Sequence, residues 1–296
     1  MRPIPCFCAS VVPPDPIRTA TISVVIPCFN RAATLERAVS SVVRQTRPPL
    51  EIIIVDDGSD DGTRELIRQR FPQCIYLRQE NLGVSRARNR GISAARGDWI
   101  ALLDSDDEWL PSKLEHQLSL LASLPDCRIC HTDEIWIRHG RRVNPKKKHA
   151  KQGGELFFRC LPLCAISPSS VLLHRSLIEE VGGFDESFPA CEDYDLWLRI
   201  CVDNAVAFVE TPQVIKYGGH PDQLSRTVWG LDRYRIRALE KIITSGRLSK
   251  AYRAAAVQTL IQKAGIVANG AKKRGNEALA KQYQDKITSM ERFHAE

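Results

Sequence analysis

The sequence predicts an α/β fold: a parallel sheet with helices on both faces, followed by a wholly helical extension. Three observations carry that expectation. Apolar β-branched runs alternate with segments of helical spacing between residues 22 and 104. Three of these strand-like runs end in polar clusters, and the apolar repeats beyond Trp229 are all helical.

Residues 22–27 form a β-branched run ending in Pro27-Cys28-Phe29-Asn30, the pattern of a strand entering a loop. Leu35, Val39, Val42 and Val43 recur at helical spacing within 32–44. A second buried strand over 51–55 closes in Asp56-Asp57-Gly58-Ser59-Asp60. A helix over 63–70, a short strand over 74–77 and a helix over 84–95 follow, and the next strand ends at Asp104. Such alternation needs crossover connections, hence parallel pairing, and open parallel sheets bind ligands beyond the carboxyl ends of their strands. The polar clusters at 27–30, 56–60 and 104–107 all fall there.

The second half is expected to hold a helix over 113–124, a strand over 129–137 and a polar loop over 138–151. Short elements at 155–158, 170–173 and 177–181 precede a helix over 193–202 and strands over 205–209 and 214–217. Beyond Trp229, Arg247-Leu248-Ser249 and Arg274-Gly275-Asn276 separate at least three helices. The last two, 251–269 and 277–292, resemble one tetratricopeptide-type pair. A single pair cannot form a solenoid and is expected to pack on the main domain.

The 296 residues suffice for one large domain and an appendage, and 43% hydrophobic with 26% charged residues is ordinary globular composition. The expected division is a disordered extension over 1–20, a main domain over 21–228 and helices over 229–296. Residues 1–20 contain five prolines, two cysteines and no apolar h-region, unlike a signal peptide. No apolar run reaches the ~18–20 residues of a membrane span, so a cytoplasmic location is the default expectation.

Of ten cysteines, Cys127-x-x-Cys130 and Cys160-x3-Cys164 have a spacing loosely compatible with a thiolate zinc site. Cys28, Cys74 and Cys201 lie inside apolar stretches, where thiols behave as small hydrophobes, so reduced and unpaired cysteine is expected. The net charge of +7 is uneven: 231–296 holds 14 basic against 6 acidic residues, and 138–151 holds seven basic and no acidic ones. The rest is net acidic, as metal–carboxylate chemistry needs, while the basic zones face an anionic partner or water.

Leu102-Leu103-Asp104-Ser105-Asp106-Asp107 is the most informative run. Carboxylates crowded at a strand's end are costly unless something cationic sits there, and Asp-x-Asp offers hard oxygens suited to Mg²⁺ or Mn²⁺ gripping a diphosphate. A solvated acidic turn, or a helix start before Trp109-Leu110-Pro111, would give the same pattern.

Five motifs occur together. They are Pro27-Cys28-Phe29-Asn30, Val55-Asp56-Asp57-Gly58-Ser59-x-Asp61, Asn81-x-Gly83-x-x-x-Ala87-Arg88-Asn89-x-Gly91, Asp104-x-Asp106-Asp107, and Gly182-Gly183-Phe184-Asp185-Glu186 with Glu192-Asp193. In that order, over residues 21–225, they resemble glycosyltransferase family 2. The resemblance implies a GT-A fold, Rossmann-like, and inverting transfer of a sugar from a nucleotide-sugar donor, UDP- or dTDP-linked, assisted by Mn²⁺ or Mg²⁺.

By that resemblance Asp57 reads the base, with Pro27 and Asn30 lining its pocket; Asp104 lies near the ribose and the metal's waters; and Asp106 ligates the metal directly. Arg86 and Arg88 reach phosphate or form structural ion pairs, and Asn89 is structural. His220, opening His220-Pro221-Asp222-Gln223-Leu224-Ser225, completes the metal or diphosphate site or is structural. Asp193 matches the family's base, the group that must remove the acceptor's proton in the transition state; helix capping is its alternative. Glu192 orients the acceptor, Asp195 caps the helix, and Trp197 and Leu198 belong to the core.

The implied acceptor is a glycan or lipid-linked intermediate of cell-surface polysaccharide synthesis, selected within 138–165. Arg141, Arg142, Lys146, Lys147 and Lys148 suit peripheral contact with an anionic membrane, and no nucleic-acid partner is expected. Two other functions fit less well. A nucleotidyltransferase usually has a Gly-rich loop where 27–31 has none, and an inactive scaffold would lack Asp106 or Asp193.

Overall fold

The computed structural model describes residues 19–219 and 228–295. Strands β1 (Ile22–Cys28), β2 (Glu51–Asp56), β3 (Ile75–Arg78) and β4 (Trp99–Leu102) pair in parallel in the order β3-β2-β1-β4. Helices α1 (Ala32–Val43), α2 (Thr63–Arg70) and α3 (Val84–Ala94) make the crossovers.

Every position of β1 and β2 is buried, so both faces of the sheet need cover. Alternate residues point to opposite faces and enter separate cores. Val25, Ile53 and Val55 pack with Ala87 and Ile92 of α3, whereas Val24, Ile26, Ile52 and Ile54 pack with Leu35, Val39 and Val42 of α1. Gly91 lets α3 approach the sheet: a Cβ there would stand 2.3 Å from Val25 Cγ1.

The chain continues through β5 (Glu108–Trp109), α4 (Lys113–Ala122), β6 (Ile129–Arg138), β7 (Arg141–Val143), α5 (Phe157–Cys160), β8 (Leu172–His174), α6 (Arg175–Val181), α7 (Glu192–Cys201) and β9 (Ala207–Gly218). The sheet extends as β4-β8-β6-β9-β5, with β7 beside β6. β8 is antiparallel to both β4 and β6, and β5 is antiparallel to β9, so the completed sheet is mixed.

Two expectations need correction here. The polar loop over 138–151 contains the β6–β7 hairpin, turned through His139 at φ +49° and Gly140 at φ +72°, and a 3₁₀ turn at Lys147–His149. The two strands expected over 205–209 and 214–217 are one strand, β9; a register shift against β6 between Thr132 and Glu134 absorbs the irregularity around Pro212.

Helices α8 (Leu231–Thr244), α9 (Lys250–Lys273) and α10 (Glu277–Ala295) complete the described chain. Ser249 caps α9 by accepting from the Tyr252 N–H at 3.2 Å. Leu239 and Ile242 of α8, Leu260 of α9 and Ile287 of α10 share one core with Trp197 of α7 and Val25 of β1. The helical extension and the sheet therefore exclude water as one body. Among the described residues no helix is long and apolar enough to cross a membrane. The eight cysteines among them are free thiols.

Candidate active site

The carboxyl ends of β1, β2 and β4 bring the first three polar clusters together. Pro27 is buried in β1, in register with Val55. Asn30, held at φ +51°, donates its N–H to Ser59 Oγ at 2.8 Å and accepts from the Asp60 N–H at 3.0 Å, joining the loops after β1 and β2. Asp57 is buried and accepts three hydrogen bonds: from Gln79 Nε2 at 2.7 Å, the Leu82 N–H at 2.9 Å and the Gly83 N–H at 2.8 Å. A carboxylate has about four lone-pair sites, so Asp57 fixes the entry to α3 and keeps about one for a further donor. Phe29 and Leu82 are exposed at this same edge.

Beyond β4, the Asp104 N–H donates to Ser169 Oγ at 3.1 Å, and the Ser169 hydroxyl donates to Asp107 Oδ2 at 2.6 Å. Asp107 also accepts the Tyr217 N–H at 3.2 Å and faces Lys216 Nζ at 3.8 Å. Burial pushes its carboxyl up to about 8 despite the Lys216 ammonium. Asp107 thus ties the acidic turn to β9. Asp106 is anchored through its backbone, its carbonyl accepting from Arg37 Nη2 at 2.6 Å while the Arg37 guanidinium stacks 3.7 Å over the Tyr217 ring. Its carboxyl is raised by burial and then by the Asp104 charge.

Arg88 links the end of β4 to α7. Only 4% exposed, it donates through Nη2 to Asp104 Oδ1 at 2.8 Å and through Nη1 to Glu192 Oε1 at 2.6 Å. The two carboxylates respond oppositely. Burial works against the Asp104 charge, but Arg88 and Lys216 outweigh it and hold that carboxyl below its ordinary value. Burial raises Glu192; Arg88 opposes the rise and the neighbouring Asp193 charge adds to it. Of the two roles expected for Arg88, the structure displays the ion pairs. Glu192 is correspondingly turned toward Arg88 and buried.

Helix α7 begins after Cys191, itself at φ +61°, and places Glu192, Asp193 and Asp195 in its first turn, where the helix N-terminus favours negative charge. Asp193 is half-buried; its Oδ2 accepts from Cys164 Sγ at 3.0 Å and its Oδ1 from the Tyr194 N–H at 2.7 Å. Asp195 is not the helix cap expected of it. It is buried and pairs with Arg199 at 2.8 Å and Lys241 at 3.1 Å, locking α7 to α8. Trp197 and Leu198 are core residues, as expected. Asn89 is structural, clamping Phe184 by accepting its N–H at 2.9 Å and donating to its carbonyl at 2.8 Å. Arg86 lies 3.7 Å from Glu186. His220 lies outside the described residues. Ser169, Lys216 and Cys164 were not foreseen, because each reaches the site from an element distant in sequence.

Asp104 and Asp106 together offer hard oxygen donors. No group of three or more His, Cys, Asp or Glu able to hold an ion is assembled among the described residues. The set fits a divalent ion that keeps water or phosphate oxygens in most of its shell, not an all-protein cage.

The family model described as glycosyl transferase family 2 matches residues 23–182. The chain belongs to glycosyl transferase family 2. A second family model, glycosyltransferase like family 2, matches residues 154–263 and so takes in α7 and its carboxylates. Among relatives of this family 2 chain, an uncharacterized glycosyltransferase of Rickettsia typhi, RT0329, is 30% identical over 70% of the chain and 66% of its own length. The chain spans only 35% of a longer relative from Rickettsia conorii, 33% identical. The Escherichia coli UDP-Glc:alpha-D-GlcNAc-diphosphoundecaprenol beta-1,3-glucosyltransferase WfgD is 32% identical over 64% of the chain and 72% of its own. The fold is GT-A: Staphylococcus aureus TarS 1–349, crystallised with UDP-GlcNAc, superposes with a TM-score of 0.72 at 16% identity, covering 91% of this chain and 81% of that one.

Proposed function

We propose that this family 2 protein transfers a sugar, with inversion and metal assistance, from a UDP- or dTDP-sugar to a glycan or lipid-linked acceptor in cell-surface polysaccharide synthesis. One observation supports the reading above others: Arg88 connects Asp104, on the donor side, with the Glu192–Asp193 pair at the start of α7. The relatives' names support the donor and pathway, since WfgD is a UDP-Glc glucosyltransferase and TarS was crystallised with UDP-GlcNAc.

In this reading Asp57 uses its free lone-pair site to accept the N3–H of the base, beside Pro27 and Asn30. Asp104 and Asp106 would hold Mn²⁺ or Mg²⁺, which supplies Lewis-acid neutralisation of the departing diphosphate. Asp193 accepts the acceptor hydroxyl's proton as that oxygen attacks the anomeric carbon opposite the leaving group, so configuration inverts. Arg88 keeps Glu192 paired and the start of α7 in place.

The test is a thermal-shift screen of nucleotide sugars with Mn²⁺, followed by assay of nucleoside diphosphate release. A donor at 100 times its Kd stabilises by about 2.7 kcal/mol. Binding with sugar transfer supports the proposal. Release of pyrophosphate from a nucleotide triphosphate and a sugar phosphate identifies a nucleotidyltransferase instead.

A further inference from the structure

Loop 161–166 brings Cys164 to the carboxylate of Asp193, and side chains from three parts of the chain fix that loop. Tyr194 of α7 donates its hydroxyl to the Leu161 carbonyl at 2.6 Å, Lys263 of α9 donates to the Pro162 carbonyl at 3.0 Å, and Lys151 donates to the Ala165 carbonyl at 2.9 Å. Cys164 Sγ lies 3.0 Å from Asp193 Oδ2 and 3.2 Å from the Ile166 carbonyl. A thiol has one hydrogen to give, and a charged acceptor makes the stronger bond.

We propose that Cys164 is a positioning residue for Asp193: its S–H, with the Tyr194 N–H on the other oxygen, sets the rotation of the carboxylate that faces the acceptor. The proposal rests on Asp193 being the base. A neutral, weak donor suits the task, because it orients the carboxylate without neutralising it as an ammonium would. The charged and titratable groups facing the thiol are Asp193 and Tyr194 of α7, Lys151, Cys160 of α5 and Arg235 of α8. Burial first, and then the Asp193 charge and hydrogen bond, hold the thiol well above its ordinary value, so it stays a donor. The helical extension takes part through Lys263, which seats the loop.

The test compares wild type, Cys164→Ala, Cys164→Ser and Asp193→Asn in the full chain. Cys164→Ala should lower kcat about tenfold, the worth of one hydrogen bond. The loss should fall on kcat, with KM for the acceptor near the wild-type value, since the thiol orients the base and does not bind substrate. Cys164→Ser keeps a donor and should hold kcat near the wild-type value. A second measurement needs no turnover: peptide mass spectrometry of Cys164 after iodoacetamide treatment at pH 8. Asp193→Asn removes the charge that suppresses the thiolate, so alkylation of Cys164 should quicken severalfold. An unchanged alkylation rate, or an unchanged kcat in Cys164→Ala while Asp193→Asn is inactive, overturns the positioning role. Full transfer by Asp193→Asn would instead overturn the assignment of the base.

Discussion

Arg88 Nη1 meets Glu192 Oε1 at 2.6 Å, a buried ion pair between residues 104 positions apart. The same guanidinium holds Asp104, so one cation fixes the end of β4 relative to the start of α7. Removing one member of a buried ion network strands the others without compensation. Arg88→Ala should therefore cost about 3–5 kcal/mol. Chemical denaturation measures this directly, and a midpoint equal to wild type would remove Arg88 from the stability of the site.

Asp193→Asn keeps the size of the side chain and abolishes its basicity. Turnover should fall by ~10²–10⁴, the range for losing a general base. Calorimetric binding of the nucleotide-sugar should stay close to wild type, and wild-type turnover would rule Asp193 out.

Asp106→Ala should weaken binding of Mn²⁺ and of the nucleotide-sugar together, and EDTA should mimic it on wild type. Full activity in EDTA would point to cationic side chains as the groups that handle the diphosphate.

Lys113 is fully buried, donating to Gln117 Oε1 at 2.7 Å with its Nζ 4.0 Å over the Trp109 ring. Burial depresses its ammonium from 10.5 to about 7. Between those values the unfolded chain binds the extra proton, so stability rises with pH across that window, and the cost is full below it. Lys113→Met should raise the thermal midpoint most at pH 6, with the difference from wild type shrinking toward pH 10. A pH-independent difference would show that Lys113 does not titrate in this range.

Arg141, Arg142, Lys146, Lys147 and Lys148 are all exposed, and none is ion-paired with another described residue. Near an anionic leaflet each such residue contributes about 1 kcal/mol. Co-sedimentation with phosphatidylserine vesicles should be strong at low salt and lost above ~0.3 M, where charges are screened within a few ångströms. Absence of binding at low salt ends the idea of peripheral docking.

The first half of the fold was legible because residues 22–27 and 51–55 are buried at every position, so their hydrophobicity is undiluted. Polar residues at strand ends marked Asp57, Asp104 and Asp106 for the same reason. Asp195 was misread as a cap because Lys241, one of the partners that define its role, lies 46 residues later. The β7 hairpin escaped notice since Arg141 and Arg142 are charged and exposed and Val143 alone makes no apolar periodicity. Lys216 and Cys164 act through tertiary proximity, which local spacing does not encode.

The sheet's strand order also sets a timetable for folding. β1, β2 and β3 find one another across single crossovers, whereas β4 reaches β1 only 77 residues on, as Ile22 pairs with Trp99; β6 waits equally long for β9, Cys130 pairing with Ala207, and β5 longer still. During synthesis the nascent chain therefore carries open edges on β5 and β6 beside the β1–β4 half of the sheet until residues 207–218 arrive. That interval is when a chaperone has most to shield, and it would lengthen under any change that slows translation between β6 and β9.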